Sequence, residues 1–455
     1  MALEVINPAT GKVIGSYPEL PESELAATLK QADQAFTQWR KTSFAQRAAV
    51  LKKAADVLRK NQEPYARLMA DEMGKPVAQG RSEVEKCAFV CDYYAEQGEK
   101  FLSPEMIPTD ASKSFVAFQP LGIVLAVMPW NFPFWQVFRA AAPALMAGNA
   151  MVLKHASNVP GCALAIEDCF KQAGLPSGLF RSLLIGTKLV ANVIASSLVK
   201  AITLTGSTPA GQAVASQAGQ LLKKTVLELG GSDPYIVLED ADLEAAAETC
   251  AASRLINTGQ SCIAAKRFIV VSTVLAPFEK LFVQAIKARP MGDPLKEDTK
   301  VGPLARRDLR DSLHDQVQRS VAKGAKVLLG GTLPEGPGAF YPPTVLTNVG
   351  KGMAAYDEET FGPVAAIIPV KDEAEAIRVA NDSPFGLGAA VFTKDAKRGE
   401  RIAVEGLEVG SCFVNSLVRS DPRLPFGGIK ESGYGRELSS FGIREFVNIK
   451  TVYVK

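Results

Sequence analysis

Residues 121–128, Leu-Gly-Ile-Val-Leu-Ala-Val-Met, form an uninterrupted apolar run that stops at Pro129. Four similar runs follow: AMVLK (150–154), SLLIG (182–186), KAITLTG (200–206) and KTVLEL (224–229). Stretches of helical periodicity separate them, near 134–147, 161–173, 187–196 and 209–219. Short apolar strands joined by helices predict a parallel sheet covered on both faces. The crossovers are long enough to be right-handed. The 18 residues from Leu121 to Phe138 carry no charge, which is long enough to raise a membrane span. Gly122, Pro129, Asn131, Pro133 and Gln136 interrupt them and Arg139 follows, so they read as a buried strand running into a loop.

The same alternation resumes over 232–430. Its strands are PYIVL (234–238), RFIVV (267–271), KVLLG (326–330), AAIIPV (365–370) and AAVFT (389–393), with helices at 242–256, 274–288, 304–323 and 372–381. Upstream, 22–42, 43–62 and 79–100 read as helices; Ala48, Leu51, Ala54, Ala55 and Leu58 share one face of the second. The last segment, VNIKTVYVK (447–455), alternates like an edge strand. Such a strand needs a sheet to join, on this chain or on another subunit. The expected fold is therefore α/β, with two tandem open α/β domains of mostly parallel strands and a small β arm. A chain of 455 residues has room for about three folded units.

Composition removes several functional classes. There are 51 Lys plus Arg against 48 Asp plus Glu, a net charge of +3, so nothing suggests nucleic-acid or membrane binding. The seven cysteines make an odd number and no CxxC occurs, which fits a reducing, cytoplasmic setting. The N-terminus lacks a signal-peptide layout. His155 and His314 are the only histidines. A zinc site or a Ser-His-Asp hydrolase is therefore poorly supplied, and no metal is expected.

Four segments carry possible chemistry. Cys262 in TGQSC (258–262) follows a glycine turn, where it can be a nucleophile or a small buried hydrophobe. Glu228 in ELGGS (228–232) ends an apolar strand; apolar surroundings raise a carboxylate toward general-base range, unless it faces water. Asn131 in MPWNFP (128–133) is held between prolines. Its amide can serve a developing oxyanion or cap a turn. TGSTPAG (205–211) opens a helix after a strand, where amides can cradle a phosphate, although GxGxxG occurs nowhere. Cys87, Cys91, Cys162, Cys169, Cys250 and Cys412 sit in apolar or helical contexts and read as core.

Taken together, MPWNFP, VLK (152–154), LTGSTPAG (204–211), ELGG (228–231), GQSC (259–262), EETFGPV (358–364) and PFGGIKESGYGRE (425–437) resemble the NAD(P)-dependent aldehyde dehydrogenase superfamily, in its order and over nearly the whole chain. The resemblance is greatest to the succinic semialdehyde dehydrogenases. It implies Cys262 as nucleophile, Glu228 as general base and Asn131 as the side-chain half of an oxyanion hole. It implies cofactor contacts at Trp130, Lys154, Ser157, Gly206, Ser207, Gly211, Leu229, Glu359 and Phe361. Glu437 matches a secondary carboxylate sometimes assigned to proton relay. The implied organisation is a cofactor domain (1–101 and 121–230), a catalytic domain (231–432) and an oligomerisation arm (102–120 and 433–455), giving a homodimer or homotetramer. Relatives that pass the acyl group to coenzyme A generally lack the carboxylate at 228, so hydrolysis to a free acid is implied.

Departures from the family pattern bear on specificity. Where Lys-Pro-Ser/Ala-Glu is usual, the chain reads Lys154-His155-Ala156-Ser157. Without a carboxylate at 157 a 2′-phosphate is not repelled, and Lys154 can pair with it, which implies NADP over NAD. His155 stands in place of Pro, either near that phosphate or as an exposed loop residue. Ser232 replaces a Lys after ELGG, and Ser261 before the nucleophile precludes a vicinal disulfide. Arg139 matches a carboxylate-binding Arg of succinic semialdehyde dehydrogenases, or is a structural ion pair. Ser420 resembles a second substrate contact, with Arg419 and Arg423 in the same loop, and Trp135 would shape the acyl tunnel. The other arginine of those relatives falls at Ile256; Arg254 is two places away. Alternatives are a broad aliphatic or other ω-carboxylate semialdehyde dehydrogenase, a non-redox thiol hydrolase using Cys262, and a structural protein on this fold.

Overall fold

Five parallel strands, described in a computed structural model covering residues 2–455, form the body of the six-stranded first sheet. They are Ile123–Met128, Ala150–His155, Phe180–Ser182, Val199–Thr205 and Lys224–Glu228. The chain starts at 123–128, steps outward through 150–155 to 180–182, then returns to the other flank through 199–205 to 224–228. Strand order thus reverses between 123–128 and 199–205. In open α/β sheets the crevice at the carboxyl ends of two such strands is where ligands bind. MPWNFP and TGSTPAG are the loops that leave those two ends.

The second sheet has seven strands in the order Lys326–Leu329, Thr344–Thr347, Val364–Val370, Arg267–Val271, Pro234–Val237, Gly388–Phe392 and Ser411–Val414. All neighbours are parallel except the 326–329 edge. Its central strands are buried along their length, as their unbroken apolar runs require. A third, antiparallel sheet joins Glu105–Met106, Lys113–Pro120 and Val447–Val454. The terminal strand thus finds its partner on its own chain, and its outer edge stays open.

The helices fall within a few residues of their expected places, from Glu22–Trp39 through Val77–Leu102 and Trp135–Met146 to Glu373–Asn381. The differences have local causes. The third apolar run is a strand over Phe180–Ser182 rather than 182–186. Helix Gln62–Met73 and the hairpin Ala2–Ile6 with Val13–Pro18 had no reading. Gly433 and Tyr434, expected in the arm, instead pair antiparallel with Leu227 and Glu228 at the edge of the first sheet.

Helix Trp135–Met146 is buried on every side. Its first turn is held by Glu83 of helix Val77–Leu102, whose Oε1 accepts from the Phe134 and Trp135 amides at 2.9 Å each. A carboxylate there satisfies two orphan donors and the positive end of the helix dipole. Lys75 neutralises it in a buried ion pair.

His155 proves to be neither exposed nor a free phosphate ligand. It is buried at the end of strand 150–155, opposite Met128. Its Nδ1 accepts from the Ala156 amide at 2.9 Å, which leaves Nε2–H to donate to the Pro133 carbonyl at 2.9 Å. The neutral ring thereby ties the end of one strand to the loop carrying Asn131. Burial pushes its pKa from 6.5 down to about 4. The neutral form is favoured by folding, so this contribution is complete above about 6.5 and is lost progressively as pH falls toward about 4, a change of ~3 kcal/mol. Urea denaturation should show wild-type stability falling across that window, with a shallower fall in His155→Gln. Parallel profiles would remove His155 from this role.

Candidate active site

Cys262 sits on a loop that the backbone bends by force. Asn257, Thr258 and Gly259 all take positive φ, at 50°, 59° and 75°. Only the third is a residue for which this is easy. Any side chain at 259 would strike the Gly362 carbonyl, since a Cβ there would lie 2.3 Å from its oxygen. Hydrogen bonds fix the turn. Asn257 Nδ2 donates to the Asn131 carbonyl at 2.6 Å and to that of Gln260 at 3.0 Å, and Arg254 Nη2 donates to the Gly259 carbonyl at 2.7 Å. Arg254 is fully buried, with Nε and Nη1 left without hydrogen-bond partners, and burial brings it down to about 9.

Asn131 is oriented from both ends. Its Oδ1 accepts from Gln136 Nε2 and its Nδ2 donates to the Gln260 carbonyl, both at 3.0 Å. This fixes the amide's direction and engages one of its two N–H bonds, leaving the second as a donor beside the Cys262 loop. Lys266 holds the other side of that loop. Its buried Nζ donates to the carbonyls of Ser261 (3.0 Å), Cys262 (2.8 Å) and Ala264 (3.3 Å) and lies 3.5 Å from Glu359.

Burial pushes the Cys262 thiol up to about 12; Arg139 and Lys266 pull it down, while Glu359 and Glu228 push further up. Glu228 is thus close enough for its charge to reach the thiol. It is 2% exposed, and neither carboxylate oxygen has a hydrogen-bond partner. Burial, reinforced by Glu437, holds it well above the ordinary carboxylate range. Glu437 is equally buried but forms an ion pair with Arg139. Arg139 Nη2 also donates to Thr205 Oγ1 at 3.2 Å, and its guanidinium lies over the Phe426 ring. The structural ion pair foreseen as the alternative for Arg139 is therefore present, although Arg139 also faces the cavity.

That cavity, about 290 Å³, is lined by Cys262, Arg139, Trp135, Phe132, Lys86, Ser420 and Phe426 among others. Trp135, Arg139 and Ser420 are thus brought together with the thiol, while Arg423 is paired outward with Asp421. Lys86, Lys266, Asn257 and Glu83 were missed. Lys86 and Glu83 lie among ordinary helical charges, whereas Asn257 and Lys266 flank TGQSC itself and could have been read from their closeness to Cys262.

Of the expected cofactor contacts, all but Ser157 lie at the strand ends and loops around the sheet crevice. Ser207 precedes helix Thr208–Gln220 without capping it through its side chain, so the helix's first amides remain available to a pyrophosphate. Gly206 N donates to the Glu228 carbonyl, and Gly211 lets the helix close on Leu229; a Cβ at 211 would lie 2.6 Å from Leu229 Cδ2. Lys154 is half-buried at the end of strand 150–155 and, among the described residues, has no ion-pair partner. Trp130 and Phe361 meet edge to face at 5.8 Å, and Glu359 accepts from the Gly231 amide at 3.1 Å. Ser157 is exposed and lines a separate cavity with Arg306 and Arg307. These open amides, the unpaired lysine and the adjacent aromatics fit a dinucleotide. Among the described residues no group of three His, Cys, Asp or Glu side chains is placed to hold a metal ion, and no helix is long and apolar enough to cross a membrane.

The chain is similar to known proteins over its full length. A probable succinate-semialdehyde dehydrogenase [NADP(+)] of Synechocystis is 51% identical, with all of both chains covered. A succinate semialdehyde dehydrogenase [NAD(P)+] of Escherichia coli is 48% identical over 98% of this chain and 97% of its own. The crystal structure of succinic semialdehyde dehydrogenase from Streptococcus pyogenes with NADP+ superposes with a TM-score of 0.97 at 39% identity, covering both chains completely. The model of the aldehyde dehydrogenase family matches residues 1–452, and the chain belongs to that family.

Proposed function

We propose that the protein oxidises succinic semialdehyde to succinate with NADP as preferred acceptor, through a thioester on Cys262. The observation that carries this reading is a cavity lined by the half-buried Cys262 thiol together with the cations Lys86, Arg139 and Arg419, with Asn131 oriented against the cysteine loop and Glu228 buried without a hydrogen-bond partner. Bound nicotinamide dinucleotide supplies the acceptor for the hydride that leaves the substrate carbon. Everything else falls to the chain. Cys262 must lose its proton before it attacks the aldehyde carbon, because only the thiolate is nucleophilic. Attack places a negative charge on the aldehyde oxygen, and the free N–H of Asn131 with the Cys262 amide supports the reading of an oxyanion hole there. Once the carbon is oxidised, the thioester is cleaved by water. Glu228, ionised, takes a proton from that water.

The NADP preference rests on the absence of a carboxylate at 157 and on the unpaired Lys154, and the names of the relatives agree. The free cysteines favour a reducing compartment, which we take to be the cytoplasm. For assembly, the arm sheet exposes Met106, Ile107, Ile449, Tyr453 and Val454, together with the open edge of strand Val447–Val454. We assign this face to contact between subunits of a dimer or tetramer.

Four outcomes test the proposal. Cys262→Ala should abolish aldehyde oxidation, whereas Glu228→Gln should give a rapid burst of NADPH of about one per site and then stall, followed by stopped-flow fluorescence. Unchanged steady-state turnover in Glu228→Gln would exclude it as the base. Ser157→Glu should shift the NADP-to-NAD ratio of kcat/KM toward NAD by ~10-fold or more; an unmoved ratio would place specificity elsewhere. Removal of 447–455 should lower the oligomeric state seen by light scattering, and an intact assembly would overturn the role given to the arm.

A further inference from the structure

We propose that Lys86 receives the distal carboxylate of the substrate, with Ser420 completing the receptor. The inference rests on the semialdehyde reading above and adds the residue that confers it.

Lys86 and Cys262 line the same cavity. Lys86 Nζ donates to Ser420 Oγ at 2.7 Å and stands 4.1 Å from the centroid of a Trp135 ring. The aromatic wall and the hydroxyl hold the ammonium in place but leave it short of acceptors, since it carries three donors. Among the described residues no carboxylate lies within ion-pair distance of Lys86. Enclosed cations without a counterion are costly, and a substrate carboxylate would relieve that cost.

The neighbouring charges leave this role to Lys86. Arg139 also lines the cavity, but its charge is already offset by Glu437. Glu83, one turn earlier on the same helix, is used up by Lys75 and the amides of Phe134 and Trp135. Asp421 belongs to Arg423. Arg419 also lines the cavity but is exposed, so water screens its charge. The groups acting on Lys86 are Arg139 from helix Trp135–Met146, Glu83 and Cys87 from its own helix, and Asp421 beyond Ser420. Burial and Arg139 bring Lys86 down to about 8. It is therefore a cation at neutral pH and loses its charge above about 8.

Succinic semialdehyde and butanal differ only in a carboxylate for a methyl, and their ratio of kcat/KM isolates the receptor from the chemistry at Cys262. Lys86→Met should raise KM for succinic semialdehyde ~30-fold or more while leaving kcat/KM for butanal within about threefold. Lys86→Arg should restore most of the loss. Inhibition by succinate should weaken in Lys86→Met in the same proportion. In wild type the ratio should fall as pH rises through about 8, and it should be flat in Lys86→Met. This wild-type profile decides the matter even where the methionine variant does not fold; a ratio independent of pH would overturn the inference. A wild type that prefers succinic semialdehyde, with a Lys86→Met that keeps the preference or loses both aldehydes equally, overturns Lys86 alone. A wild type with no preference overturns the substrate reading as well.

Discussion

The site depends on one strained turn. Three successive residues, Asn257 to Gly259, are held at positive φ, and for the two that carry side chains this costs about 1–3 kcal/mol each. The turn persists because its surroundings over-determine it: Asn257 bridges the carbonyls of Asn131 and Gln260, Arg254 pins Gly259, and Lys266 gathers three carbonyls beyond it. The same bonds that fix the backbone also align Asn131 with the cysteine loop. Nucleophile and oxyanion donor are thus parts of one hydrogen-bonded unit, although they come from different sheets.

Charge is allotted around that unit with little redundancy. Two carboxylates and one guanidinium share the buried space beside Cys262. The guanidinium goes to Glu437, so Glu228 is left with no partner and burial raises its affinity for a proton. A base must release that proton to act, which makes hydrolysis of the thioester sensitive to how far Arg139 leans toward one acid or the other. Lys75 and Glu83 cancel each other beneath helix Trp135–Met146. Lys86 is the half-buried cation in the cavity with no carboxylate at ion-pair distance among the described residues.

Much of this was legible in the sequence, for physical reasons. Apolar runs separated by helical periods fixed the two parallel sheets, because buried strands cannot alternate polar residues. Strand order was not legible; the structure supplies the reversal that places MPWNFP and TGSTPAG at the ligand crevice. What could not be read were partnerships across long separations. Arg139 stands alone in the sequence but finds Glu437, and His155 looked like an oddity of the cofactor loop until Pro133 came within reach of its ring. Lys86 was hidden differently. A lysine on a long amphipathic helix reads as solvent-facing, and only the packing of that helix against Trp135 and the 420 loop turns it inward.

The pairing of Arg139 with Glu437 also sets an order of events during synthesis. Arg139 leaves the ribosome long before Glu437 and belongs to a helix that is apolar on all sides. Until its counterion arrives, that helix cannot be buried without stranding a cation, at a cost of about 3–5 kcal/mol. The edge strand that abuts Glu228, Gly433–Tyr434, emerges just as late. Without the C-terminal segment, the first sheet would therefore lack both the counterion of a buried guanidinium and its outer strand.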